Sequence, residues 1–212
     1  MLRKIGIVNY GMGNLRSVCN ALSSLGASPF IAERPEDLPA AEAVILPGVG
    51  AFGDGMNNLR AAGWIEVLEQ EVRQKGNPFL GICLGMQLLA TTGTEHGTHP
   101  GLGWIPGVAR RICPANPSLR LPHIGWNDVQ PRRASKLFPA QDPQVFYFLH
   151  GYVLAPEGQA GEAVTATCVY GEEFAATLEQ DNILATQFHP EKSQQAGLSL
   201  LRRFLESERA AC

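Results

Sequence analysis

Cys83 is the residue of this chain best placed to do covalent chemistry. It stands in Gly81-Ile82-Cys83-Leu84-Gly85, behind the apolar run 79–82 and ahead of a helix-like stretch, 83–90. A nucleophile between two glycines, where a strand turns into a helix, is the pattern of a nucleophile elbow with Cys in place of Ser. Small flanking residues avoid clashes in so tight a turn, and the turn lifts the sulfur above the sheet edge. The start of the following helix is expected to favour an anionic sulfur. A free thiol with a pKa of about 8.5 is only about 3% thiolate at neutral pH, so the sulfur needs a base. Most lone cysteines are small buried apolar side chains; the elbow sets Cys83 apart.

The chain has five histidines. His189-Pro190-Glu191 closes the apolar run 183–188. Sites in doubly wound sheets form at the carboxyl ends of strands, which brings Cys83 and His189 to one edge. Glu191 can reach the far ring nitrogen, fix the tautomer and stabilise imidazolium, while Pro190 pins the backbone between them. Acyl transfer also needs donors for an oxyanion. The Leu84 N–H is one by elbow geometry, and Pro47-Gly48-Val49-Gly50 is expected to supply another, because its glycines let a peptide turn inward. His123 and His150 read as structural hydrogen-bonding groups. Gly11-Met12-Gly13 opens like a dinucleotide fingerprint, but Arg16 stands where the third glycine belongs, so NAD binding is rejected.

Strands alternating with helices must position these residues. Runs 5–8, 29–32, 43–46 and 79–82 read as buried parallel strands. Asn14 is expected to cap a helix bearing Leu15, Val18, Leu22 and Leu25, which Gly26 stops. A helix is expected over 56–74. The second half reads as strands at 104–112, 145–149, 164–170, 174–178 and 183–188, an antiparallel or mixed extension of the same sheet. A last helix is expected over 194–205 with Leu198, Leu201 and Leu205 inward. The 17 basic and 20 acidic residues give a net charge of -3, without the basic excess of a nucleic-acid binder. Five scattered cysteines form neither a disulfide framework nor a zinc ribbon, which suits a reducing compartment. No apolar run approaches the roughly 20 residues that span a bilayer.

Together, GICLGMQLL at 81–89, PGVG at 47–50 and HPEKS at 189–193 resemble the class I glutamine amidotransferases, in the right order and over essentially the whole chain. The resemblance implies a single domain over 1–212 with the α/β fold of that family: a central, mostly parallel mixed sheet flanked by helices. It implies Cys83 as nucleophile, His189 as general base and acid, and Glu191 as orienting carboxylate. Val49, Gly50 and Leu84 then shape the oxyanion hole. Gln87 holds the glutamine backbone, Glu95 contacts its amino group, and His150-Gly151-Tyr152 forms a further wall. Gly151 stands where the family more often has Ser or Thr, so a hydroxyl contact is lost or replaced by backbone. No cofactor or metal is expected.

Three further runs, IVNYGMGNLRSV at 7–18, LPHIGWNDV at 121–129 and FYFLHGY at 146–152, look like the members that serve histidine biosynthesis beside a (β/α)8-barrel cyclase, HisF. This implies a cytoplasmic heterodimer. Glutamine is hydrolysed on this chain and ammonia passes through the barrel, with Trp126, Asn127, Tyr147 and Lys192 facing the cyclase. The alternatives are an amidotransferase subunit of another synthase and a stand-alone γ-glutamyl cysteine hydrolase.

Overall fold

The computed structural model describes residues 3–116, 118–138 and 142–207. In chain order the strands are β1 (Lys4–Val8), β2 (Ser28–Ala32), β3 (Ala43–Gly48), β4 (Phe79–Cys83), β5 (Ala90–Gly93), β6 (His99–Pro100), β7 (Ile105–Arg111), β8 (His123–Pro131), β9 (Gln144–His150), β10 (Tyr152–Pro156), β11 (Val164–Val169), β12 (Glu173–Gln180) and β13 (Ile183–Thr186). The helices are α1 (Leu15–Ser24), α2 (Phe52–Ala61), α3 (Trp64–Leu68), α4 (Leu84–Gln87) and α5 (Gln194–Glu206).

Nine strands form the main sheet in the order β2-β1-β3-β4-β13-β12-β11-β8-β9. The pairings from β2 to β13 are parallel, and those from β13 to β9 are antiparallel. The sheet is therefore evenly mixed rather than mostly parallel. The inner strands of its parallel half, β1, β3, β4 and β13, are buried on both faces, which explains their unbroken apolar runs. On β3, Val44 and Leu46 pack with Met56, Trp64 and Leu68 of α2 and α3, whereas Ile45 packs with Val18 and Leu22 of α1 and Leu201 and Phe204 of α5.

Several elements depart from expectation. Strand 104–112 does not extend the main sheet; β7 joins a second sheet of order β10-β7-β5-β6. The helix expected over 56–74 breaks at Gly63, whose φ of 73° is left-handed, and α3 then runs on into a π-helical turn, Glu69–Gln74. The helix expected over 83–90 is one turn long. The Leu88 and Leu89 carbonyls instead accept from Leu102 and Ile105 at 2.9 and 3.0 Å, so the chain peels away into β5. Asn14 does sit at the start of α1, but its side chain makes no capping bond among the described residues. In α5 the buried positions are Gly197, Leu200, Leu201 and Phe204; Leu198 and Leu205 are only half-buried. No helix of the described residues is long and apolar enough to cross a membrane.

Candidate active site

Cys83 ends β4 with φ 54° and ψ -105°, a left-handed backbone that costs a residue with a Cβ about 1–3 kcal/mol. Two close approaches hold it there. A Cβ on Gly85 would lie 1.8 Å from the Leu46 carbonyl oxygen, and one on Gly81 would lie 2.7 Å from that of Gly85. Both flanks must therefore be glycine, as the elbow pattern requires. A one-turn α4 supplies little dipole, contrary to expectation, because the effect needs aligned turns behind the terminus. What faces the sulfur instead is side-chain chemistry. Gln187 Nε2 lies 3.7 Å from Cys83 Sγ, and the Leu149 carbonyl oxygen lies 3.7 Å away as well. Sequence reasoning missed Gln187. Its spacing of two from His189, at the end of an apolar run, was the available signal, since residues i and i+2 of an extended chain share a face.

His189 leaves the end of β13, and its N–H donates to the Tyr147 carbonyl of β9 at 2.9 Å. Its Nδ1 lies 2.9 Å from Glu191 Oε1, with both side chains 2% exposed. Nδ1 donates to the carboxylate, and Nε2 is buried without a hydrogen-bond partner among the described residues. Burial alone would lower the pKa of this ring. The adjacent Cys83 sulfur, followed by Glu191, outweighs burial and lifts it to about 10. Beside an anionic sulfur the ring is therefore favoured as imidazolium, and the raise belongs to the Cys83–His189 pair. Ser193, also missed in the sequence, secures the loop: its Oγ donates to the His189 carbonyl at 2.7 Å and accepts from Tyr147 N–H at 3.0 Å.

Val49, Gly50, Leu84, Gln87, Glu95, Gly151 and Tyr152 line a single pocket with Cys83, Leu149 and His150. The geometry thus gathers the three oxyanion candidates and four glutamine-contact candidates around the sulfur. Gly50 needs its glycine, with φ at 106°. Gln87 Nε2 donates to the Tyr152 carbonyl at 2.9 Å. Glu95 Oε2 accepts from the Phe52 N–H at 2.9 Å and so holds the start of α2, the helix that follows the Gly50 loop. At Gly151 a Cβ would meet only Pro122 Cβ, at 3.9 Å, so space for a side chain is left open.

The interface candidates divide between two faces of β8. Trp126 packs edge-on against Tyr147 at 6.0 Å, and Lys192 Nζ lies 5.9 Å over the Tyr147 ring. Trp126 is 48% exposed, and Ile124 and Val169 are each 59% exposed, with Val145 at 45%. Asn127 points the other way, toward His123. Among the described residues, no three or more His, Cys, Asp or Glu side chains are arranged to hold a metal ion.

The family model for glutamine amidotransferase class-I matches residues 7–207. The chain belongs to that family. Within it, this amidotransferase is 44% identical over 210 residues to the imidazole glycerol phosphate synthase subunit HisH of Geobacter sulfurreducens, covering 97% of this chain and 99% of the relative. It is 45% identical over 206 residues to the protein of the same name from Methanothermobacter thermautotrophicus, covering 97% and 100%. Among solved structures, its fold superposes on that of PurLQS from Thermotoga maritima with a TM-score of 0.75 at 21% identity, over 97% of this chain and 99% of the other. A crystal structure described as a glutamine amidotransferase gives a TM-score of 0.72 at 23% identity, over 95% and 97%. At such identities the two structures speak for the fold alone.

Proposed function

We propose that the chain, folded as one amidotransferase domain over 1–212, is the cytoplasmic glutaminase half of an imidazole glycerol phosphate synthase. It hydrolyses glutamine and hands the ammonia to a (β/α)8-barrel cyclase, HisF. One observation carries the chemistry: a strained Cys83 meets a buried, proton-bearing His189–Glu191 pair at a pocket lined by backbone-rich loops. The relatives' shared name supports the pathway.

The steps follow from the groups present. The Cys83 thiolate attacks the γ-carboxamide carbon of glutamine. Val49, Gly50 and Leu84 frame the oxyanion that forms, where one backbone donor contributes about 2.7–4 kcal/mol. The C–N bond breaks as His189 gives its proton to the departing nitrogen, leaving a glutamyl thioester and ammonia. Water then loses a proton to His189 and attacks the thioester, releasing glutamate and restoring the thiolate–imidazolium pair. Gln87, Glu95, Gly151 and Tyr152 hold the amino-acid end of glutamine.

The exposed apolar group Ile124, Trp126, Val145 and Val169, with Tyr147 and Lys192 beside it, favours a partnered enzyme over a stand-alone γ-glutamyl hydrolase, because solitary proteins rarely leave such patches open. The test is glutamate release by the chain alone and with the HisF barrel carrying its nucleotide ligand. Strong stimulation is expected. High activity alone, unchanged by the barrel, overturns the reading.

A further inference from the structure

Polar groups behind the pocket converge on the Tyr152 carbonyl from two sides. Asn127 Oδ1 accepts from the Asp128 N–H at 2.8 Å, and its Nδ2 donates to the Val169 carbonyl at 3.0 Å, so two backbone groups fix the amide's orientation. The same Nδ2 lies 3.3 Å from His123 Nε2, which must therefore accept. The proton of His123 then sits on Nδ1 and is donated to His150 Nε2 at 3.1 Å. His150 Nδ1 donates in turn to the Tyr152 carbonyl at 3.0 Å. The far end demands the same assignment, because a carbonyl only accepts. Burial keeps both rings neutral, with His123 lowered to about 4 and His150 to about 3.

A second arm starts from the same carbonyl. Gln87 Nε2 donates to Tyr152 at 2.9 Å and to Gln187 Oε1 at 3.4 Å. Gln187 has spent its oxygen there, so it turns its N–H to Cys83 Sγ. Gln187 is fully buried and plays no part in the triad.

We propose that Gln187 is a positioning residue for the nucleophile, its amide held N–H-first against the Cys83 sulfur because the Tyr152 carbonyl fixes the Gln87 amide and the Gln87 amide in turn donates to Gln187 Oε1. This rests on Cys83 being the glutaminase nucleophile. An amide N–H stabilises an anionic sulfur; the reversed amide would aim its oxygen at that charge. The Tyr152 carbonyl selects the productive orientation.

The experiment uses the full chain in complex with the barrel. Gln187→Met keeps a side chain of similar length and removes the donor. Alkylation of Cys83 by iodoacetamide, read by mass spectrometry, is expected to slow roughly tenfold, as for a lost hydrogen bond to a charged group. Exposed Cys113 serves as the internal control and is expected to react unchanged. The kcat is expected to fall with KM for glutamine within about twofold, because the lost contact acts on the sulfur and not on bound substrate. Asn127→Asp cannot donate to His123. It is expected to change the imidazole 15N shifts of His123 and to leave Cys83 alkylation unchanged, because the His123–His150 arm ends on the Tyr152 carbonyl and does not reach Gln187.

Normal Cys83 alkylation in folded Gln187→Met overturns the positioning role. An Nε2-protonated His150 in the native chain, seen by 15N NMR, overturns the assignment of His150 as the second donor to the Tyr152 carbonyl. Both readouts are independent of glutamine turnover, so they fail separately from the assignment of Cys83, which glutaminase activity in Cys83→Ala would refute.

Discussion

Gly48 of β3 and Cys83 of β4 are register partners on adjacent parallel strands. The loop Val49–Gly50 and the nucleophile therefore leave the sheet side by side. On the other flank of β4, parallel β13 delivers Gln187 and His189 to the same edge. The central strand bears the sulfur, one neighbour brings the oxyanion loop, and the other brings the base. Parallel pairing is what lets three chain segments far apart in sequence end together.

Replacing Cys83 separates chemistry from strain. Both Cys83→Ala and Cys83→Gly are expected to lose glutaminase activity. Glycine adopts φ 54° without a Cβ penalty, and the relief exceeds the entropy it adds to the unfolded chain by about 1 kcal/mol. For a chain of this size that is about 2–4 °C. Calorimetry is expected to find Cys83→Gly melting above Cys83→Ala; equal or reversed midpoints contradict the strain argument.

Glu191→Gln preserves shape and removes charge. With one of its two supports gone, His189 is expected to titrate well below about 10, and kcat to fall about 100-fold or more. An NMR titration of the His189 ring with steady-state kinetics checks both. An unshifted titration would show that the carboxylate does not hold the imidazolium.

Stability is expected to fall away on both sides of neutrality. His123 and His150 have folded pKa values of about 4 and about 3, below the unfolded value of about 6.5. Between these limits the unfolded chain binds more protons, so stability drops as pH falls below about 6.5, by up to about 1.4 kcal/mol per pH unit per ring. His189 has the opposite sign. Its contribution is full below about 6.5 and is lost as pH rises through about 10. Urea unfolding across this range checks the profile, with His150→Asn expected to blunt the acid side alone.

In the complex, Cys83→Ser is expected to fail with glutamine and to make imidazole glycerol phosphate from ammonium salt at alkaline pH, since the barrel needs only ammonia. Trp126→Ala and Lys192→Ala keep the triad but remove groups packed edge-on against or lying over Tyr147. They are expected to raise the ratio of glutamate to imidazole product, or to weaken stimulation by the barrel's ligand. A serine variant driven by glutamine, or one that ammonium cannot rescue, contradicts this division of labour.

The elbow and the His189–Glu191 pair were legible because each sits in a short run whose local chemistry is distinctive, whereas Gln87, Glu95, Gly151 and Tyr152 entered only through the family resemblance. β8 was not. Its His-Ile-Gly-Trp-Asn-Asp run contains poor strand formers, and pairing with both β9 and β11 overrides them. The brevity of α4 was also hidden, because the groups that capture the Leu88 and Leu89 carbonyls come from residues 102 and 105. Gln187 looked like one more strand residue. Its role depends on where Gln87 places a hydrogen bond 100 positions away.

The apolar face beside β9 also bears on how the cell makes this protein. β9 is the outermost strand at its end of the described sheet, and Ile124, Trp126, Val145 and Val169 stand exposed close to that margin. Exposed apolar side chains at a sheet edge recruit other chains without discrimination. A copy of this chain whose face stays uncovered is therefore prone to stick to other copies, and overproduction of the chain alone is expected to favour aggregates.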